Sequence, residues 1–383
     1  MRFPLFRDNW TKYRVSDLLE TYPTNSLSWD QLSYDISKLK NIHYGLIHNG
    51  FETTCIDVKS DLIPYIKLAY YPKKYTLLKI GDLILADASE DREDVGKSIE
   101  IIEEVKQKTI SGLHTIHARD KVNFIIKGFK GFYFKSKPMK EQIFKIANGS
   151  KIYGITSSNF NELYMCMPGK LEQEKIVSLM MKIEQRIQTQ SKIIEDLKSQ
   201  KNMILNKVFK ELFDTPNGII GDYIKYEQPS KYLVDSKDYV SKSDNVVPVL
   251  TANQAFILGY TEESYGIYDK GDCIIFDDFT MDSKFVDFNF KVKSSAIKIL
   301  TAKENINIKY FFEYLQYLNL FSTEHKRHYL SEVEKKPICV PPINIQENIL
   351  TKLSIFNSKI KNEEIILHNY ELQKNYLLDN MFI

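Results

Sequence analysis

Two stretches of the chain carry the reading: CMPGKLEQEKIVSLMMKIEQRIQTQSKIIEDLKSQKNMILNKVF at residues 166–209 and CVPPINIQENILTKLSIFNSKIKNEEIILHNYELQKNYLLDNMF at residues 339–382. They align without a gap at an offset of 173. Pro168 falls on Pro341, Gln173 on Gln346, Glu174 on Glu347, Ile176 on Ile349, Ile187 on Ile360, Lys201 on Lys374, Leu205 on Leu378 and Phe209 on Phe382. The match extends upstream to Ser158 and Ser331, so the chain is ordered as variable block, helix, variable block, helix. Each copy steps by alternating four and three along one seam: Ile176, Met180, Ile183, Ile187, Gln190, Ile194, Leu197, Lys201, Ile204 and Val208, then Ile349, Leu353, Phe356, Ile360, Glu363, Leu367, Tyr370, Lys374, Leu377 and Met381. That is a heptad seam. Polar residues recur at the same two steps of both copies, and polar seam residues fix register at a cost in stability, so the two helices are expected to pair with each other. The residues expected to carry the pairing are Ile176, Ile183, Ile187, Leu197, Ile349, Phe356, Ile360 and Leu377. At 1.5 Å per residue, roughly 40 residues make a rod of about 60 Å, a spacer rather than an ordinary globular helix. Pro168 and the pair Pro341 and Pro342 admit each helix near its first turn.

Outward from the helices lie two blocks with short β-like runs: YTLLKIGDLILAD (75–87) and VNFIIKGFKGFYF (122–134) in the first, NVVPVL (245–250), YDKGDCIIFDD (268–278) and SAIKIL (295–300) in the second. Each has a Gly-Asp turn leading into an apolar strand and an acid, Gly81, Asp82 and Asp87, then Gly271, Asp272 and Asp277, as distant copies of one domain would. The expected class is α+β, with two α/β domains separated by two long helices that pair as an antiparallel coiled coil, in a pseudo-twofold repeat. The segments are residues 1–165, 166–210, 211–338 and 339–383. With 383 residues, 43% hydrophobic and 27% charged, the chain has the make-up of a globular protein of two or three domains. No apolar run is long enough for a membrane span and residues 1–10 lack the apolar stretch of a signal peptide, so a cytoplasmic protein is expected.

The signature of Pro, Glu-Gln, a long heptad helix with an internal Lys and a closing Leu-x-x-x-Phe, present twice around dissimilar blocks, resembles the specificity (S) subunit of type I restriction-modification systems. The resemblance covers the whole chain: the phrase from Phe3 to Trp10 with Leu18 resembles the family's opening, and the two helices its central and distal conserved regions. The second copy departs from the pattern at Ile345-Gln346, where the family has Glu-Gln. The resemblance implies a non-catalytic protein of defence against foreign DNA, in which each block is a target recognition domain reading one half of a split, asymmetric site on double-stranded DNA. It implies docking of two modification (methyltransferase) subunits, with restriction (helicase-nuclease) subunits in the full complex and no membrane partner. No cofactor is expected in this chain, while the assembly is expected to need S-adenosylmethionine, and Mg2+ and ATP for restriction. A pseudo-twofold pair of unequal readers independently predicts a bipartite site, because half-site spacing follows reader separation. The alternative is a coiled-coil scaffold joining two protein-binding domains without DNA specificity.

Net charge is only +2, but it is unevenly placed. Residues 82–104 hold nine acids against Arg92 and Lys97, while residues 121–151 hold Lys121, Lys127, Lys130, Lys135, Lys137, Lys140, Lys145 and Lys151 against Glu141, interleaved with Phe129, Phe132, Tyr133 and Phe134. That stretch is either a polyanion-facing surface or a solvated lysine face. The DNA-binding candidates are Lys127, Lys130, Tyr133, Lys151 and Tyr153 in the first block, and Asn253, Gln254, Lys326, Arg327 and Tyr329 in the second. Asn253 and Gln254 have amides that suit adenine but also suit a turn. Lys326, Arg327, His328 and Tyr329 form a basic-aromatic cluster of the kind that contacts phosphate. Only seven arginines are present, so Arg327 and Arg119 are the candidates for guanine.

Catalytic signatures are scarce. Pro341-Pro342 is flanked by Val340 and Ile343, without the amide and the aromatic ring of a base-flipping methyltransferase motif. Gly128 to Gly131 (GFKG) is too short for a phosphate loop. Asp278 with Asp282, Ser283 and Lys284 makes a nuclease-like string, but such short strings are common. Four cysteines, each more than 60 residues from the next, and the spacings His114 with His117 and His325 with His328 supply no recognised zinc pattern, so no metal is expected.

Overall fold

The structure, a computed structural model, describes all residues except 1, 57–60, 93, 104, 106, 150, 214, 237, 244, 252–255 and 323–325. The chain divides into two compact units, Met1–Lys192 with Ile365–Ile383, and Ile193–Glu364. The division cuts both long helices, so each unit holds one block and a part of each helix. The segments expected from sequence run across it.

In the first unit, β1 (Thr11–Arg14), β2 (Leu19–Tyr22), β3 (Cys55–Ile56), β4 (Leu83–Ala86), β5 (Ser98–Ile101) and β6 (Thr115–Asp120) precede α1 (Phe129–Lys135), β7 (Tyr164–Met167) and the long helix α2 (Lys170–Phe213). The main sheet has the order β2-β6-β4-β5-β3, antiparallel except for β3 beside β5. All four residues of β4 are buried because both faces are covered: Leu83 and Leu85 enter the cluster on the helix side, Ile84 and Ala86 a second cluster with Ile42, Ile56 and Ile99. The helix-side cluster contains Phe129, Phe132, Tyr133, Ile176, Met180, Ile183, Leu377, Leu378 and Phe382, so the block's core closes over the start of α2 and the end of the last helix.

The second unit repeats the plan with β8 (Gly218–Ile219), β9 (Ile224–Glu227), β10 (Cys273–Asp277), β11 (Ser283–Val286), β12 (Ile297–Ala302), α3 (Ile308–Leu318), β13 (Pro337–Ile338) and α4 (Ile343–Asn380). Its sheet, β9-β12-β10-β11, has the same strand order as β2-β6-β4-β5 and is antiparallel throughout. Ile274 and Phe276 face the helix-side cluster, Cys273 and Ile275 the opposite one, as in β4. Here the cluster takes Leu205 and Phe209 from the end of α2 with Ile349 and Leu353 from the start of α4. In both units a short antiparallel pair, β1 with β7 and β8 with β13, leads into the long helix.

The helices run antiparallel within each unit. In the first, Lys374 Nζ lies 2.6 Å from Glu184 Oε1 and Arg186 lies over the Tyr370 ring. In the second, Lys198 pairs with Glu364 at 2.8 Å, while Lys201 and Asn357 share Glu313. Of the expected seam residues, Ile176, Ile183, Ile349, Ile360 and Leu377 are buried, and Ile187, Leu197 and Phe356 are half-buried.

One expected strand is a helix. VNFIIKGFKGFYF reads as a β-like run, but residues 122–128 form no strand and Gly128, at φ +89°, opens α1. Gly131 continues the helix where a Cβ would come within 2.9 Å of Thr54 Cγ2 and 3.0 Å of Glu100 Cβ, so no larger residue fits. Phe129, Phe132, Tyr133 and Phe134 are all buried, which hides the helical period from a sequence pattern.

Candidate nucleic-acid interface

The blocks are seated on the helices by two copies of one device. Gln173 Oε1 accepts from the Ile126 N–H at 2.8 Å, and its Nε2 donates to Phe124 O at 3.2 Å and Pro168 O at 2.9 Å. Gln346 does the same with the Asn307 N–H at 2.8 Å, Asn305 O at 2.9 Å and Pro341 O at 2.7 Å. Both glutamines are fully buried. An amide is the one neutral side chain that offers an acceptor and two donors at once, so it settles three backbone groups that burial would otherwise strand. The aromatic contacts follow the same correspondence: Phe382 meets Phe129 and Tyr133, and Phe209 meets Tyr310 and Tyr314, each at 5.4 to 5.8 Å between ring centres. Phe124, Ile126, Phe129 and Tyr133 thus correspond to Asn305, Asn307, Tyr310 and Tyr314 at an offset of 181.

The entry to the first helix is tied in a way that has no counterpart among the described residues of the second unit. Arg2 grips Glu172 with Nε at 2.6 Å and a second nitrogen at 2.7 Å, and the Trp10 indole donates to the same carboxylate at 3.2 Å. Glu172 therefore ties down the opening phrase. Its counterpart Ile345 is exposed, which gives the departure from Glu-Gln a structural sense.

Three of the ten DNA candidates are corrected by burial. Lys130 is fully buried between Glu100 at 3.0 Å and Asp120 at 2.9 Å; burial works against its charge, but the two carboxylates hold its pKa above the ordinary lysine value. Tyr133 is a core residue whose hydroxyl donates to Ile383 O and accepts from the Cys166 N–H. Tyr329 is fully buried against Tyr226 and Phe276. None of these side chains reaches solvent, so none offers itself to a nucleic acid. Lys127 and Lys151 are exposed, and Tyr153 is half-buried near Arg92. Lys326 and Arg327 are exposed, Lys326 pairing with Glu332 at 3.1 Å. Asn253 and Gln254 lie outside the described residues. Basic surface is thus present on both blocks, but the dense lysine run is partly turned inward.

Arg119 is also spent inside the protein. Its guanidinium takes Asp82 at 2.7 and 2.8 Å and Leu77 O at 2.9 Å, while His117 Nε2 lies 2.7 Å from the same carboxylate. Burial works to raise the Asp82 pKa, and Arg119 with His117 outweighs it and holds the carboxyl below its usual value. The acid of the first Gly-Asp turn is therefore a structural anchor. Asp278, from the nuclease-like string, is buried and accepts the His328 and Tyr329 N–H groups, with Lys298 at 3.4 Å; Asp282 and Lys284 form a surface pair at 3.2 Å. Among the described residues no cluster of three or more His, Cys, Asp or Glu is placed to hold a metal ion, and no helix is long and apolar enough to cross a membrane. His325 lies outside them.

This is a mixed helix-and-sheet architecture in which one plan occurs twice. Residues 221–369 match the family model described as the type I restriction modification DNA specificity domain. Over 175 residues, 42% of this chain, the sequence is 41% identical to the specificity subunit of the type I restriction enzyme EcoR124I/EcoR124II of Escherichia coli, and the match spans 43% of that relative's length. In fold, the whole chain superposes on 99% of the S subunit of a type I restriction-modification system from M. genitalium, with a TM-score of 0.57 at 13% identity. It covers 97% of a chain from a structure of the type I R-M system concerned with complex assembly and conformational transition, with a TM-score of 0.53 at 13% identity. The resemblance carried by the repeated helices holds: the chain is similar in sequence and fold to type I specificity subunits, and the part of it that matches their DNA specificity domain model takes in most of the second block and much of α4.

Proposed function

We propose that the protein is the sequence-specific DNA-recognition subunit of a type I restriction-modification complex, each block reading one half of a bipartite, asymmetric site. The observation that carries the reading is the duplication of one seat, the buried glutamine with its aromatic partners, under two blocks whose sheets share a strand order but whose sequences differ. Equivalent seats under unlike readers suit two unlike half-sites, and two equivalent helical surfaces suit two copies of one modification subunit. Catalysis is assigned to the partners: S-adenosylmethionine to the methyltransferase subunits, Mg2+ and ATP to the restriction subunits. On the readers, Lys127, Lys151, Lys326 and Arg327 are the exposed residues proposed to face the DNA, with Tyr153 beside them.

The test is a gel shift of the chain assembled with its modification subunits, against duplexes with and without the site that the complex methylates. Preferential binding and methylation of one split sequence is expected. Assembly without any DNA preference would favour the scaffold reading.

A further inference from the structure

The two seats are equivalent in their glutamines and aromatic rings but opposite in where they keep their charge. Lys201 and Lys374 occupy the same repeat position, and each is largely buried against a carboxylate. In the first unit the acid comes from the helix: Glu184, which also accepts the Thr54 hydroxyl at 2.6 Å and its N–H at 3.1 Å. The position equivalent to Glu184 in the second copy is Asn357. There the acid comes from the block: Glu313 of α3 meets Lys201 at 2.7 Å and accepts from the Asn357 amide at 2.9 Å. At the offset of 181, Glu313 corresponds to Phe132 of α1, a buried ring with no charge. One turn on, half-buried Lys135 of α1 corresponds to Gln316. Burial and nearby Lys374 push the Lys135 pKa down to about 8.

Each block is thus electrically matched to its own helix pair. From α1 the first brings a lysine and no acid to a seat that supplies Glu184; from α3 the second brings an acid to a seat that supplies an amide. Placed on the second seat, the first block would leave Lys201 without a carboxylate, whereas the second block on the first seat would crowd Glu184 and Glu313 about one lysine. A buried charge stripped of its partner is a strong penalty. We propose that residues 184 and 357 act as a key that addresses each recognition block to its own seat, so that the blocks exchange positions only if this pair of helix residues exchanges too. The inference concerns the folding of the blocks onto the helices and stands whatever the blocks bind.

The test is a cycle in the full chain: Glu313→Gln, Asn357→Glu and the two together, read by hydrogen exchange of the peptides spanning α3. Each single change should speed exchange, Glu313→Gln by more than about a hundredfold because it leaves Lys201 unpaired. The double variant should recover most of the protection, since it rebuilds on α4 the acid that α2 supplies in the first unit. A double variant no better protected than the worse single one overturns the key. A second arm carries the second block in both positions, once with Glu184 kept and once with Glu184→Asn. The form with Glu184→Asn should melt higher, and equal melting of the two forms would also overturn the key.

Discussion

Lys130 and Lys127 stand three residues apart in one basic run, yet they do different work. Lys130 neutralises Glu100 and Asp120 in the interior, so Lys130→Met should cost several kcal/mol of stability by stranding Glu100, a fully buried carboxyl whose pKa burial already raises. Lys127→Ala should leave melting unchanged and, under the proposed function, weaken cognate and non-cognate DNA equally while flattening the salt slope by roughly 0.9. Melting curves and DNA titrations at several salt concentrations separate the two outcomes, and the reverse assignment would place the DNA face elsewhere. Sequence supplied the sign of these charges but not their burial, because Glu100 and Asp120 reach Lys130 from strands of the main sheet. A second residue-scale test concerns His43, buried beside Trp29 and Tyr44, with Nδ1 accepting the Gly45 N–H. Burial, with His114 nearby, pushes its pKa down to about 4, below an ordinary imidazole at 6.5. The unfolded chain therefore takes the proton first, and this residue's share of stability is complete above pH 6.5 and drains away as pH falls towards 4. His43→Asn, which keeps an acceptor for Gly45, should flatten that decline in the melting temperature. An unchanged acid limb would contradict the buried neutral ring.

At the scale of elements, the long helices were legible and the short ones were not. A gapless repeat with a heptad seam announces itself over forty-odd residues, whereas α1 hid inside an apolar run because its aromatic residues are buried together and leave no alternation to read. The aligned glutamines were visible as matches, but their role was not, since their partners are backbone groups of the blocks. Those contacts make a prediction: Gln173→Leu and Gln346→Leu each strand one N–H and two carbonyl groups, and each should cost about 1 to 3 kcal/mol per group left unsatisfied. Hydrogen exchange should show Gln173→Leu loosening residues 124–134 and Gln346→Leu loosening residues 305–318, each within its own unit. Loss of protection in both units from either change would mean that the seats are not independent.

At the scale of the whole molecule, the repeat accounts for both the likeness and the difference between the units. Both sheets follow one strand order, both cores take the end of one long helix and the start of the other, and both seats use a buried glutamine. Sequence disclosed this plan chiefly through the helices, because within the blocks only the Gly-Asp turns and the apolar strands still correspond visibly. Under the proposed function, what each block reads would lie in exposed side chains, and those carry no periodic or packing signal. The proposal of one reader per half-site is tested by replacing residues 11–167 with the matching block of a relative, assembling the chain with its modification subunits, and mapping the methylated sequence. One half of the site should change while the other half is retained; a change in both halves, or in neither, would rule out two independent readers.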